Sequence, residues 1–332
     1  DDVLFFGPDV SEIDHAIEYL KQGGLSLTIE DDDVYHYLGV QVEPQQNGKA
    51  FEMTQKGLIK KILEATDMQD CNPKPTPATR TPLGTDADGA PFKETWKYSS
   101  IVGMLLYLSS NTRPDIQFAV HQCARFTHNP RASHTEAIKR ICRYLKGTQD
   151  KGLVVSPSKE MELNCYVDAD FAGLWNHEDD QDPVCVKSRT GYVLKLGGCP
   201  LHWVSKLQTE VACSTLEAEY IALSLAMRDL LPMRRLLQEI GDELKLDFAK
   251  PAIMHSTVFE DNNGALALAT SPRLTPRTKH IAVKYHFFKD HIGKEKGVVI
   301  KKIETEKQQG DLFTKGLMED AFVRVRKLLM GW

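Results

Sequence analysis

The stretch LNCYVDADFAG (residues 163–173) reads as a strand that is apolar along its length and ends in two acids, Asp168 and Asp170. Two further strand-like runs follow it, RTGYVLKL (189–196) and LHWVSKL (201–207), and then a long helical pattern from about 215 to 239. A strand, AIMHSTVFE (252–260), two helical patterns, a strand GVVIKKIE (297–304) and a final helix complete the order. Strands first, then helix and strand in alternation, predict an α/β chain with a mixed sheet and helices packed on its faces.

Upstream the pattern is β-α-β-β-α. The apolar run VLFF (3–6) precedes Ser11 and Asp14, spaced as a capping box, and Ile13, Ala16, Ile17 and Leu20 follow at helical spacing. Gly23-Gly24 ends that helix, Leu25, Leu27 and Ile29 alternate, as do Leu38, Val40 and Val42, and Asn47-Gly48 signals a hairpin. Leu58, Ile59, Ile62 and Leu63 then mark an amphipathic helix. Residues 71–92 are rich in Pro, Gly, Thr and Asp without periodicity, which predicts a linker. Three helical patterns occupy about 97–148. In the last, Ser133 and Glu136 are spaced as a capping box, and Lys139, Arg143 and Lys146 share a face that either grips phosphates or is simply solvated.

With 332 residues, 42% of them hydrophobic and 26% charged, the composition is that of a soluble globular protein with room for two cores. No run is long and apolar enough for a membrane span, and the first residues lack the zones of a signal peptide. The seven cysteines are scattered without a CxxC pair, against a disulfide framework or zinc site. A net charge of -5 means that any nucleic-acid role rests on local basic faces.

Candidate chemistry lies in four places. Asp168 and Asp170 share a strand face, which is costly to bury without a cation, or else both cap a turn. Glu217 and Glu219 stand in the first turn of the long helix, where the helix dipole alone also favours acids. Asp261 follows the STVFE strand and Asp311 opens a helix in QQGDLFTKGL, and each also serves as a plain N-cap. Taken together, these acids can converge at one edge of the sheet and hold hard divalent cations.

These segments resemble, in order, the ribonuclease H domain of copia-type LTR retrotransposon polyproteins: YVDADFAG, the span 188–223 from SRTGY to EYIAL, EDNNGALALA, RTKHIAVKYHFFKDHI and QQGDLFTKGL. YLGVQVE, MTQKGLIKKIL, YSSIVGMLLYLSSNTRPDIQFAV and HTEAIKRICRYLKGT resemble the end of the reverse transcriptase palm, its thumb and the connection. The resemblance implies a ribonuclease H-like five-stranded mixed sheet over 151–332, a partial palm and thumb over 1–75, and a linker and helical connection over 76–150. It implies Asp168, Glu219, Asp261 and Asp311 as catalytic metal ligands for two Mg²⁺ ions, or Mn²⁺ in their place. EYIAL selects Glu219 over Glu217, since side chains two apart on a helix diverge by about 200°. Asp170 is then a local helper or surface acid. Ser188, Arg189, Thr278, Lys279, His280 and His286 are implied substrate contacts, with Lys284 and Lys289 beside them.

The implied reaction is cleavage of the RNA strand of an RNA/DNA hybrid. The alternatives are a non-catalytic nucleic-acid-binding remnant, or part of an RNA-directed DNA polymerase complete only with upstream sequence. Implied partners are the hybrid and the upstream polymerase and integrase regions of the polyprotein, with no membrane; the implied location is cytoplasmic, in a virus-like particle, or nuclear. In the family an aromatic-X-Asp-Asp turn leads into a strand like VLFF, so Asp1 and Asp2 are expected to be a vestigial polymerase metal site. The chain departs from the pattern at Phe171, Thr275, Ala282 and the acidic insert HEDDQD (177–182), which bears on substrate grip more than on reaction class.

Overall fold

The computed structural model describes residues 3–5, 9–28, 36–45, 49–175, 183–246, 254–271, 281 and 283–332. Asp1, Asp2, Asn47, Gly48, the 177–182 insert, Thr275, Thr278, Lys279, His280 and Ala282 lie outside the described residues.

Helix α1 (Val10–Gln22) is capped by Asp9, which accepts from the Ser11 backbone and hydroxyl, so its start lies ahead of the expected Ser11–Asp14 box. Strands β1 (His36–Tyr37), β2 (Val40–Gln45), β3 (Ala50–Thr54) and β4 (Leu153–Val155) form an antiparallel sheet in that order. The strands read at 3–6 and 25–29 are not formed in the described residues 3–5 and 25–28. Because β4 follows the helices yet pairs with β3, the sheet ties both sides of the connection together. Helices α2 (Lys56–Ala65), α3 (Tyr98–Asn111), α4 (Gln117–Ala124) and α5 (Ala132–Gly147) lie between. At the start of α5 the Arg131 N–H donates to His134 Nδ1, whereas the Ser133 hydroxyl has no hydrogen-bond partner among the described residues, so the expected Ser133–Glu136 box is not what caps it.

The second sheet holds β5 (Leu163–Asp170), β6 (Arg189–Leu196), β7 (Cys199–Leu207), β8 (Ser256–Glu260) and β9 (Val298–Lys302) in the order β7-β6-β5-β8-β9. Its first three strands are antiparallel, and β8 and β9 run parallel to β5. This is the five-stranded mixed sheet that the resemblance implied. Helix α6 (Thr215–Glu243) covers one face, burying Tyr220, Ile221, Leu223 and Met227 against Cys165, Val167 and Val258. On the other face α3 and the helices α8 (Asp311–Thr314) and α9 (Glu319–Met330) meet Val193 and Trp203. Trp203 donates its indole N–H to Ser109 O at 2.9 Å, so one core joins helices α2 to α5 to the sheet. Helix α7 (Asn263–Thr270) follows β8, and 3-10 turns at Val283–Tyr285 and Phe287–His291 replace the second helix expected there.

Two segments hold the assembly shut. The expected linker has few regular elements and is mostly exposed, but Thr76 and Pro77 are buried in it, and a Cβ on Gly316 would sit 1.9 Å from Thr79 O. NTRPD (111–115) places a fully buried Arg113 bidentate on Asp115, at 2.9 and 2.8 Å, with further bonds to the Thr148 carbonyl and hydroxyl. Tyr144 donates to Asp115, and the rings of Tyr144 and Trp332 stack on the guanidinium at 5.4 and 5.6 Å.

Candidate active site

Parallel pairing of β5 with β8 ends at Tyr166 and Phe259, and the two strands part beyond it. Into that gap the buried Gln308 donates to Val167 O at 2.8 Å and Phe259 O at 3.4 Å. The chain then turns over β5. A Cβ on Gly310 would lie 2.8 Å from Asp168 N, and one on Gly191 would lie 2.7 Å from the Phe313 and Thr314 side chains. Glycine at both positions therefore lets α8 press directly on β5 and β6, bringing Asp311 beside Asp168.

The N-terminus of α6 comes to the same edge. Ser214 caps it, accepting from Glu217 N at 3.2 Å, and the Glu217 carboxylate accepts from Cys213 N at 2.7 Å. Glu217 is thus engaged in the cap, and Glu219 points into the cluster with Oε2 unpartnered and buried. At the end of β8 the N-cap of α7 is Asn262, which accepts from Gly264 and Ala265 N–H. Asp261 therefore does not serve as that cap and is held by Thr305 Oγ1 at 3.0 Å.

Asp168, Glu219 and Asp261 offer carboxylate oxygens that all lie within 4.8 Å of one another. Asp311 joins them through Lys315, whose Nζ lies 2.7 Å from Asp311 and 3.5 Å from Asp168. Thr314 Oγ1 donates to Asp168. The structure thus brings together all four acids singled out in the sequence, plus two groups that were not. Glu260 is fully buried, with Oε1 accepting from Asn262 N at 2.9 Å and Oε2 unpartnered. Lys315 is the other; nothing in the sequence sets it apart from the other lysines.

So many acids strain the site electrically. Burial first, then Asp168, Glu260 and Asp261, pushes Glu219 up to about 11. Burial, with Asp168 adding to it, raises Asp311 to about 7, and Asp170 to about 6. Asp261 is raised by the same two causes, and Glu260 well above the usual carboxylate range, chiefly by burial. Burial disfavours the Lys315 charge, but Asp168 and Asp311 outweigh it and raise its pKa. A convergent set of hard oxygen donors, in which Glu219 Oε2 is buried without a hydrogen-bond partner among the described residues, fits a divalent cation. Asp168, Glu219, Asp261 and Asp311 would hold it.

Linkage follows from these shifts. Asp311, raised from 3.8 to about 7, binds a proton in the folded metal-free protein that the unfolded chain gives up. Its contribution to stability is therefore present at acid pH and is lost as pH rises from about 4 to about 7. The thermal midpoint of metal-free protein is expected to fall between pH 5 and pH 7.5, and to fall less in Asp311→Asn. An equal fall in both proteins would show that Asp311 carries no such shift.

Of the implied substrate contacts, Ser188, Arg189 and His286 are among the described residues. Ser188 and Arg189 are buried: the Ser188 hydroxyl accepts from Ala172 N at 3.3 Å, and the guanidinium meets Ser205 Oγ at 3.3 Å and stacks on Phe118. Neither faces solvent. His286 Nδ1 lies 2.7 Å from Tyr220 Oη, Lys284 pairs with Glu210, and Lys289 donates to Ser271 O. On α5, Lys139 is bound to Glu94 at 2.8 Å and is not a free phosphate grip.

Similarity to known proteins bears on this arrangement. The chain is 33% identical, over 97% of its length, to a retrovirus-related Pol polyprotein from transposon RE2 of Arabidopsis thaliana, and covers 21% of it. It is 30% identical, over 68% of its length, to the putative transposon Ty5-1 protein YCL074W of Saccharomyces cerevisiae, and covers 70% of that protein. The solved structure of LC11-RNase H1, isolated from compost, aligns with 46% of this chain and 92% of its own, at 22% identity and a TM-score of 0.31. No protein-family model matches the chain. The chain spans about a fifth of the length of the curated Pol polyprotein named first. Among the described residues, no helix is long and apolar enough to cross a membrane.

Proposed function

Since the chain belongs to the copia-type retrotransposon Pol polyproteins, we propose that its five-stranded unit is a ribonuclease H that hydrolyses the RNA strand of RNA/DNA hybrids with two bound Mg²⁺ ions. The observation that carries the reading is the convergence of Asp168, Glu219 and Asp261 within 4.8 Å where the central strands β5 and β8 end.

Each residue has a part. Asp168, on the central strand, would hold a cation together with the acids from α6, β8 and α8. Thr314 fixes one of its oxygens from below. Glu219 supplies an unpartnered oxygen from the helix, and Asp261, half exposed and tethered by Thr305, stands toward solvent. Cations bound there would activate a water and stabilise the leaving oxygen of a phosphodiester. RNA differs from DNA in its 2′-hydroxyls, which line the wide minor groove and give the protein its means of choosing the strand. Polymerisation by the longer polyprotein is a separate activity, and Asp1 and Asp2 would belong to it.

The test is to incubate the full chain with end-labelled RNA/DNA hybrid, duplex RNA and duplex DNA in Mg²⁺. Cleavage of the RNA strand of the hybrid alone, stopped by EDTA, is the expected result. Binding of the hybrid without cleavage would replace this reading with that of a nucleic-acid-binding remnant.

A further inference from the structure

The acid cluster carries a cation of its own. Among the described residues, Lys315 is the lysine or arginine that forms ion pairs with Asp168 and Asp311. Its side chain is 40% exposed, against 4% for Asp168 and 10% for Asp311, so the ammonium enters from the solvent side and the acids lie beneath it. Lys315 and Thr314 approach the same oxygen of Asp168, Oδ2.

An ammonium so placed does two things. It offsets the repulsion among carboxylates that are otherwise buried without counter-charge, and it repels any second cation brought to the same oxygens. Arginine would be fixed in a planar fork, but lysine is a compact charge on a flexible stem that can move aside. Asp170 and Asp261 also attract it, and a ligand bearing anionic oxygens competes with the carboxylates for it, as a phosphodiester does.

We propose that Lys315 couples substrate binding to cation loading. Before substrate arrives it is the internal counter-ion of Asp168 and Asp311, and the phosphodiester of the bound nucleic acid draws it off and frees both carboxylates. Lys315 is thus a positioning residue, and the proposal rests on the metal-dependent nuclease reading above. Coupling of this kind is reciprocal: the factor by which nucleic acid tightens cation binding is the factor by which cations tighten nucleic-acid binding.

The experiment is calorimetric titration of Mn²⁺ into the full chain, with and without an uncleavable 2′-fluoro RNA/DNA hybrid, for wild type, Lys315→Met and Lys315→Gln. In wild type, hybrid should tighten Mn²⁺ binding by about tenfold. In the neutral variants Mn²⁺ alone should already bind about tenfold tighter than in wild type, and hybrid should add less than about threefold. A purely structural lysine would give the opposite sign, since a disordered cluster binds Mn²⁺ more weakly. Wild-type affinity with undiminished coupling in whichever neutral variant folds overturns the proposal but leaves the metal site standing. Absence of Mn²⁺ binding in every protein removes the metal site and the proposal with it.

Discussion

Replacing Glu219 with Gln is expected to cut hybrid cleavage by about three orders of magnitude while leaving the metal-free protein as stable as wild type, or more so. The two halves have one cause. Glu219 is buried and its Oε2 has no partner. Burial and the neighbouring acids hold it protonated in the metal-free protein at neutral pH, with its pKa pushed up to about 11. An amide of the same shape mimics that neutral form, so the folded protein loses nothing. What the amide lacks is the negative charge that a cation demands. Initial cleavage rates and the metal-free thermal midpoint check both halves. Activity within about tenfold of wild type, or a midpoint lower by several degrees, would count against Glu219 as a ligand.

The second large effect is on stability. Arg113→Met is expected to cost about 3–5 kcal/mol, because it leaves the Asp115 carboxylate buried without its cation. The guanidinium has no exposed surface and bonds to Asp115 and Thr148, while Tyr144 and Trp332 stack on it. It therefore joins the turn after α3 to the ends of α5 and of the chain. Arg113→Met combined with Asp115→Leu should lose less than the sum of the two single changes, since the uncompensated charge disappears as well. Urea unfolding of the single and double variants gives the comparison. A loss below about 1 kcal/mol for Arg113→Met, the scale of a surface pair, would show that the bidentate geometry carries no special weight.

The sheet and the acid cluster were legible in the sequence because their signals are local. Strand β5 is a largely apolar run that ends in two acids, and each acid at a strand end or helix start is ordinary alone, so it was the set and its resemblance to the family's motifs that singled out the four. The choice of Glu219 over Glu217 has a visible cause: Glu217 closes the helix cap. What escaped depends on long-range packing. Nothing in the sequence sets Lys315 apart from the other lysines, and only the folding of α8 onto β5, through Gly191 and Gly310, brings it to Asp168. Glu260 lies beside the expected Asp261, and alternation along β8 turns it into the interior. NTRPD drew no reading of its own, because its buried ion pair forms only once α5 and the C-terminal tryptophan close over it. Ser188 and Arg189 were expected as substrate contacts from the resemblance alone, and both are buried. Their hydroxyl and guanidinium are instead engaged with Ala172 and Ser205.

The most direct measurement is anomalous scattering from crystals of the full chain soaked in Mn²⁺ with the uncleavable hybrid. Two peaks about 4 Å apart are expected, with Asp168 between them, Glu219, Asp261 and Asp311 around them, and Lys315 turned away from the carboxylates. A density map with no peak at the cluster, and Lys315 still seated on Asp168 and Asp311, would contradict the assignment of these acids as a metal centre.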